Sequence, residues 1–392
     1  MINKIIFLIL IFFALFFPTN YYNIYHFVLL GAASLLILIN GVKLNISFYA
    51  RYFLILIVLI VFNVFVSSIY LGSDFFRNAT EIFRFLPTLL FLLCYRAINI
   101  NRQNIYFLFC SYTSVVTIIC CLQYLGFESV LNLSRIYGSE LQVENSLIIS
   151  SRAIGLSTGP GNNGAMFTIL YVYFLSNFLF FKERKSINII FMLLCAVSVV
   201  FAQSQTSLVA ISLVTLFSLV ILFIIDKRKV LNFYVFFVFF NVILGLGVIF
   251  YKFLNKFGYL ISLFEEGLTR NSYKIRVEKM DAVLDLSFSN PIMFFFGYGK
   301  DLVPNATALD NEYAFYLGVY GAFSLMLLFV FYLYFLTSVF NKNKNFPDFL
   351  LCLTVFAGLI IAWPSSFTLD PRLLFIFTIY LIFSLREKNI QR

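Results

Sequence analysis

Long apolar runs recur through most of this chain, and they constrain its fold more than any other feature. An α-helix of about 20 apolar residues crosses a bilayer, and a spanning segment must satisfy its own backbone polar groups. Of the 392 residues 61% are hydrophobic and only 12% are charged, whereas soluble proteins carry roughly a quarter charged residues. The sequence therefore predicts an all-α polytopic membrane protein, with residues 1–392 forming a single integral membrane domain.

The apolar runs predict about twelve transmembrane helices. Several runs lie near the short end of the spanning range, so neighbouring boundaries can shift or merge. The first run lacks a small-residue cleavage site and is expected to remain as a helix. The predicted spans are Lys4–Phe17, Ile24–Ile39, Tyr52–Leu71, Ile82–Tyr95, Ile105–Gly126, Asn162–Phe181, Ile187–Ala202, Thr206–Ile225, Val230–Tyr251, Tyr313–Phe340, Phe349–Ala362 and Leu373–Leu385.

Lysine and arginine fall in every second connection, and this alternation predicts the orientation. Short basic loops stay on the cytoplasmic side of a membrane, and the basic connections begin with Lys43 and Arg51 and continue to the tail at Arg386. The alternation persists along the chain, which predicts an even number of spans and two cytoplasmic termini. The two longest connections, residues 127–161 and 252–311, are then large outward loops.

The sequence lacks the motifs that would indicate nucleic-acid, nucleotide or metal binding. The net charge of +10 comes from short loops between spans, so it indicates topology rather than nucleic-acid binding. There is neither a Walker-type loop nor a GxGxxG motif that follows a strand, and no soluble domain is present to carry a nucleotide site. His26 is the only histidine, and the six cysteines lie in or beside apolar runs without metal-type spacing. We therefore expect no metal, cofactor or nucleic acid, and any reaction needs an activated substrate or an ion gradient.

The first outward loop ends in a turn-rich segment that could bind an anion. Arg152 is followed by glycines, including Gly159, and the next span starts near Asn162. Glycines allow close backbone approach, free amides at a helix start favour an anion, and the planar guanidinium of arginine binds phosphate at two points. The alternative is a flexible loop before an ordinary helix start, since glycine, proline and asparagine are common in turns.

The second outward loop is the longest polar segment of the chain. Arg270 and Arg276 lie among other charged residues in it, and it ends at Asp310, Glu312 and Tyr313. Residues from 281 onward could form an amphipathic helix on the bilayer surface. The alternative is a solvated charged face followed by a helix start, with Asp310 as the N-cap and Tyr313 near the third helical position.

The order of these motifs along the chain resembles that of a known family. An Arg-x-x-Gly segment at Arg152 leads into a Gly/Pro/Asn turn, Ser-Gln-Thr-Ser follows at residues 204–207, and Phe-Gly-Tyr-Gly and Asp-Asn-x-Tyr end the second loop. This layout is similar to that of the Wzy-type polymerases of O-antigen and capsular polysaccharide. Those are bacterial inner-membrane enzymes with about a dozen spans and two large periplasmic loops. Gln205 stands where that family most often has the arginine of a Ser-Arg-Thr turn.

The resemblance implies a glycosyl transfer between undecaprenyl-diphosphate-linked oligosaccharides, one the donor and one the acceptor. Arginines would stabilise the charge that develops on the diphosphate leaving group, and a carboxylate would accept the proton of the attacking hydroxyl. A chain-length regulator and a flippase would be further partners, together with the bilayer. The implied diphosphate and glycan contacts are Arg152, Arg276, Arg270, Gly159, Asn162, Gln205 and Tyr313, and the candidate bases are Asp310, the first choice, and Glu312.

Two other functions fit parts of the pattern. An O-antigen ligase, which transfers the finished glycan to the lipid A core, shares this architecture but typically has a histidine in the late outward segment, where this chain has none. A transporter or flippase of lipid-linked sugars is expected to carry charges in mid-span and to lack large outward loops. The loop pattern and the missing histidine favour the polymerase.

Overall fold

The computed structural model describes residues 2–40, 46–98, 101–181, 183–225, 271–304, 306, 309–340 and 345–390. Within these ranges the regular structure is helical, without a β-strand. Five of the helices are long and apolar enough to cross a membrane. The chain is therefore an all-α membrane protein in its described part, as the composition predicted. The predicted span Val230–Tyr251 and Arg270 lie outside the described residues.

The helices follow one another with short connections. Two π-helical turns, Glu144–Ile149 and Tyr316–Tyr320, extend α8 and α14 respectively. In chain order the α-helices are α1 (Ile2–Phe16), α2 (Tyr22–Asn40), α3 (Phe48–Leu71), α4 (Phe75–Ala79), α5 (Ile82–Leu93), α6 (Arg102–Leu125), α7 (Glu128–Tyr137), α8 (Glu140–Val143), α9 (Pro160–Phe180), α10 (Lys185–Phe201), α11 (Gln205–Ile225), α12 (Asn271–Ser289), α13 (Pro291–Phe296), α14 (Glu312–Phe315), α15 (Ala322–Ser338), α16 (Phe346–Ile361) and α17 (Pro371–Ile390).

One predicted span is interrupted in the structure. The run Tyr313–Phe340 is apolar throughout, yet α14 and its π-helical turn end at Gly321, and α15 starts after it. Gly321 has φ +85°, and a Cβ on it would clash with the backbone of Phe295 and Gly297. The break thus comes from a close approach of the end of α13, which hydropathy alone does not reveal.

Helix α9 lies at the centre of the bundle. It packs against α6, α10, α11 and α16. Its apolar window is 89% buried although its mean hydropathy is only 1.3, whereas that of α3 is 33% buried with a mean hydropathy of 2.7. Helices that face lipid need apolar surfaces all along them, while a helix enclosed by other helices can carry polar and small residues that pack and hydrogen-bond. The least hydrophobic candidate span is therefore the innermost one.

Helices α9 and α11 approach each other closely at Gly164. A Cβ on Gly164 would lie 2.5 Å from both the Cβ atom of Ser204 and the Oγ atom of Ser207. The two serines hydrogen-bond to each other through their hydroxyls at 2.8 Å. The small residues let the starts of both helices lie side by side.

Buried charges hold the connections at this same end of the bundle. Both Arg84 and Lys300 pair with the Glu81 carboxylate, at 3.0 and 2.7 Å, and the Tyr320 hydroxyl donates to it at 2.6 Å. The buried Arg372 guanidinium donates to the carbonyl of Leu156 at 2.8 Å and to that of Phe17 at 3.0 Å. These bonds fix the loops to the helices because a buried charge without a partner is costly.

Substituting Gly164 tests the helix contact. Gly164→Ala is expected to destabilise the protein by about 1–3 kcal/mol, because the added methyl group forces α9 and α11 apart. Gly31→Ala is the matched control, since a Cβ at Gly31 of α2 meets nothing within 4 Å. Thermal unfolding in detergent measures the melting temperatures of both variants and of the wild type. A Gly164→Ala variant that melts at the same temperature as Gly31→Ala would contradict the close contact.

Acid unfolding tests the Glu81 cluster. Burial by itself would raise the pKa of Glu81, but Arg84 and Lys300 outweigh it and lower the pKa from 4.5 to about 2. The stabilisation from the ionised form is fully present above pH 4.5 and is lost as the pH falls towards 2. Melting temperatures should thus fall more steeply with acid in the wild type than in Glu81→Gln. Glu140 is exposed, so Glu140→Gln should show the same dependence of melting temperature on pH as the wild type. The same dependence in all three proteins would exclude the contribution of Glu81 to acid unfolding.

Candidate functional site

A cavity of about 50 Å³ lies where α9 and α11 begin. We call it the α9–α11 cavity. Arg152 comes from the segment before α9 and Arg276 from α12, and residues 204–207 lie at the start of α11. The remaining lining residues are Gly161, Ile361, Pro364 and Ser365. Segments far apart in sequence therefore meet around one polar space that contains two arginines.

The backbone around Arg152 is held against the end of α10. Ala153 N donates to Phe201 O at 2.9 Å, and Arg152 N donates to Ser146 O at 2.7 Å. The Arg152 side chain donates from Nε to Ala202 O at 3.3 Å. Arg152 is thus fixed on both its backbone and its side chain, and it remains half-buried at the cavity.

Two residues beside the cavity adopt an unusual backbone conformation. Ser151 has φ +49° and Gln203 has φ +46°, a region that costs free energy for residues other than glycine. The Gln203 side chain donates to the carbonyls of Ser150 and Ser151 at 3.4 and 3.3 Å, so the two strained turns support each other. Strain of this kind concentrates at functional sites.

The starts of two helices add partial positive charge to the cavity. α9 follows Gly159, which has no side chain with which to cap the helix, and carries Pro160 at its first turn. α11 has no acidic residue in its first turn. Unsatisfied amides at helix starts attract anions, so both helices reinforce the charge of the arginines.

Arg276 also contacts a predicted base. Its Nε lies 3.7 Å from Oδ2 of Asp310, and both side chains are substantially exposed, at 39% and 57%. The prediction that Asp310 caps α14 was wrong, because the Asn311 side chain accepts the hydrogen bond from Ala314 N at 3.0 Å. Tyr313 consequently occupies the second helical position. Asp310 precedes the cap, and its carboxylate reaches the arginine instead.

Glu312 is buried in a different role. Its carboxylate accepts hydrogen bonds from Phe367 N, from Thr368 N and from the Thr368 hydroxyl, and its side chain is fully enclosed. Burial raises the pKa of Glu312, although these hydrogen bonds oppose the shift. Glu312 thus holds the connection that carries Ser365 to the cavity, and it does not line the cavity itself.

The predicted diphosphate and glycan contacts that the structure describes divide into three groups. Arg152, Arg276 and Gln205 line the α9–α11 cavity together. Asn162 lies at the edge of the cavity, where its Oδ1 accepts a hydrogen bond from the Ser365 hydroxyl at 3.3 Å. Gly159 occupies the N-cap position of α9 nearby. Tyr313 points elsewhere, donating from its hydroxyl to Leu359 O at 2.7 Å.

Sequence reasoning missed the contribution of the last connection. Pro364 and Ser365 lie between α16 and α17 and complete the cavity wall. Their segment contains no charge before Asp370, so it carried no chemical signal. A proline followed by two serines next to the only tryptophan, Trp363, was the one local irregularity that could have drawn notice.

The chemistry of the α9–α11 cavity favours an oxyanion. Two guanidinium groups, hydroxyls from Ser204, Ser207 and Ser365, and two helix starts converge there, with Asp310 as the counter-charge on one arginine. A cavity of 50 Å³ holds several waters, since one water needs about 10–15 Å³ on this measure, and so accommodates a phosphate-sized group. Among the described residues no cluster of histidine, cysteine and carboxylate could hold a metal ion.

Neither the models of known protein families nor the curated protein sequences match this chain. What the protein does must therefore be inferred from its residues and their geometry.

Pyrophosphate binding tests the cavity directly. Trp363 is the only tryptophan in the chain and precedes the lining residue Pro364, so its fluorescence reports on the cavity. Pyrophosphate should change the emission saturably. Arg152→Ala and Arg276→Ala should each weaken binding about 10- to 100-fold, because a charge-assisted hydrogen bond contributes about 1.5–3 kcal/mol.

Lys274→Ala is the matched control, since Lys274 is exposed on the same helix as Arg276 and outside the cavity lining. It should bind pyrophosphate with unchanged affinity. If pyrophosphate does not change the emission of Trp363, titration calorimetry on the same proteins measures the binding affinity instead. Equal affinities in the arginine variants and the wild type would exclude this cavity as the anion site.

Proposed function

We propose that this protein is a membrane glycosyltransferase that polymerises lipid-linked repeat units of O-antigen or of a capsular polysaccharide. It would act at the outer face of a bacterial inner membrane, as a multi-pass protein of about twelve spans with both termini in the cytoplasm. Both donor and acceptor would be undecaprenyl-diphosphate-linked oligosaccharides. The observation that carries the proposal is the meeting of Arg152 and Arg276 in one cavity at the starts of α9 and α11.

The diphosphate of the donor would occupy the α9–α11 cavity. When the glycosidic bond breaks, negative charge develops on the bridging oxygen of the leaving diphosphate, and fixed positive groups around that oxygen lower the barrier. Arg152 and Arg276 supply full charges, and the two helix starts supply partial ones. The sugars would lie outside this small cavity, beside the exposed Asp310 and Trp363.

Asp310 is the proposed general base. The acceptor hydroxyl oxygen attacks the anomeric carbon of the donor, the bond from that carbon to the diphosphate oxygen breaks, and the electron pair leaves with undecaprenyl diphosphate. The Asp310 carboxylate takes the hydroxyl proton. Its exposure lets an acceptor reach it, whereas the enclosed Glu312, with its hydrogen bonds to residues 367 and 368, is the poorer candidate.

The substrate would approach through the bilayer. A polyprenyl diphosphate is already activated, so the transfer needs no nucleotide, and its lipid tail stays in the membrane while its head group enters the cavity. A flippase would deliver the repeat units to this face, and a chain-length regulator would limit the product. These two partners follow from the proposed reaction and are part of the proposal.

Complementation of a deletion strain tests the function. The host lacking this gene should carry only single repeat units on its surface lipid, because transfer to the core continues without polymerisation. Wild type and Lys274→Ala should restore long chains on a polysaccharide gel. Arg152→Ala, Arg276→Ala and Asp310→Ala should not restore them, while immunoblots show normal protein levels.

The same gel separates the competing functions. Long lipid-linked chains that never reach the core would identify a ligase. A loss of all surface glycan, with repeat units trapped on the cytoplasmic side, would identify a flippase. Unchanged polysaccharide in the deletion strain would exclude the proposed function and both competing ones.

A further inference from the structure

A second and larger cavity, of about 310 Å³, lies at the opposite end of α9. It is lined by the starts of α6 and α10, the end of α9 and the end of α17, and we call it the α6–α10 cavity. Since α9 has 21 residues and a helix rises 1.5 Å per residue, about 30 Å separates the two cavities. They therefore lie near opposite faces of the membrane.

Charges of both signs line the α6–α10 cavity. Among the described residues that line it, Arg102 and Arg184 are the cations, and Glu183 and Glu387 are the anions. In the part of the chain that the structure describes, these four side chains form no ion pair or hydrogen bond with one another, although both carboxylates lie near enough to attract Arg102. Charges that are shielded from water need partners. Because these four do not contact one another, a ligand that carries both a positive and a negative group would pair with them.

Aromatic rings orient the two arginines. The Arg102 guanidinium lies 3.3 Å from the centroid of the Phe181 ring, and that of Arg184 lies 5.3 Å from the centroid of the Tyr106 ring. A guanidinium stacked on a ring keeps the N–H groups at its edge for an oxyanion, which it binds at two points. Arg184 also has φ +60°, a strained conformation of the kind that clusters at binding sites.

Two buried amides supply neutral partners. Asn188 accepts from the Tyr106 hydroxyl through Oδ1 at 2.9 Å, which leaves its amide nitrogen as a donor. Asn177 donates from Nδ2 to Tyr173 O at 2.8 Å, which leaves its oxygen as an acceptor. The cavity thus offers donors for a phosphate and acceptors for an ammonium group.

We propose that the α6–α10 cavity binds a zwitterionic phosphate ester of the phosphoethanolamine type. The phosphate contacts Arg102 and Arg184, and the ammonium group contacts Glu387 and Glu183. The volume matches the lower end of the range of ligand pockets, about 300–1,000 Å³, which suits a head group of this size. The ester is either the head group of a membrane lipid or a soluble metabolite, and this assignment is independent of the glycan reaction proposed at the other end.

Calorimetry with glycerophosphoethanolamine tests the charge assignment. The wild-type protein in detergent should bind it at least tenfold more tightly than glycerophosphoglycerol, a phosphodiester of the same phosphate charge that lacks the amine. Arg102→Gln should weaken binding of both esters at least tenfold. Glu387→Gln should abolish the preference for the amine while retaining glycerophosphoglycerol binding. Arg96→Gln is the control, because Arg96 is an exposed arginine stacked on Tyr95 outside the cavity, and it should bind as the wild type does.

Native mass spectrometry identifies the source of the ester. Retention of phosphatidylethanolamine through purification in the wild type and in Arg96→Gln, with loss in Arg102→Gln, would identify a lipid. Binding of the soluble ester without retained lipid would identify a metabolite. No binding of either, or equal binding in Arg102→Gln and the wild type, would overturn the proposal.

Discussion

The absence of hydrogen-bonding solvent in a bilayer governs how this bundle is arranged. Polar side chains cannot face lipid tails without large cost, so they gather on helices that other helices enclose. Helix α9 collects many of them: Asn163, Thr168, Ser176 and Asn177 are all buried along it. Surface helices such as α3 present Val58, Phe62 and similar side chains outward instead. The polar axis of α9 ends in a cavity at each face.

Buried ionisable side chains hold the loops between the helices in place. Glu312 holds residues 367 and 368 through their amides, Arg84 donates to Leu369 O at 2.8 Å, and Arg372 binds the carbonyls of two loops. Each of these contacts reaches a backbone amide or carbonyl of a loop, so it fixes the loop backbone directly. The Ser365 hydroxyl reaches the α9–α11 cavity because its connection is held in this way.

The two cavities differ in the charge they offer. Among the described residues, the α9–α11 cavity combines two arginines and two helix starts with one exposed carboxylate, Asp310, so it favours a negatively charged group. The described lining of the α6–α10 cavity has two carboxylates and two arginines, and it favours a group with both signs. With the two proposed ligands, the protein would bind a diphosphate at one end of α9 and a zwitterionic head group at the other.

The sequence by itself determined the class of protein and suggested some of the residues that line the α9–α11 cavity. Hydropathy is a local property, so apolar runs located most helices to within a few residues. An arginine before a glycine-rich helix start made Arg152 a candidate, and Arg152 lines the α9–α11 cavity. Which charges meet was decided only by the tertiary structure. Arg276 lies more than a hundred residues from Arg152, and Ser365 has no charge to mark it. The N-cap of α14 is Asn311, and the carboxylate of Asp310 lies beside Arg276 instead. Such contacts depend on how helices distant in sequence pack, and no local pattern contains that information.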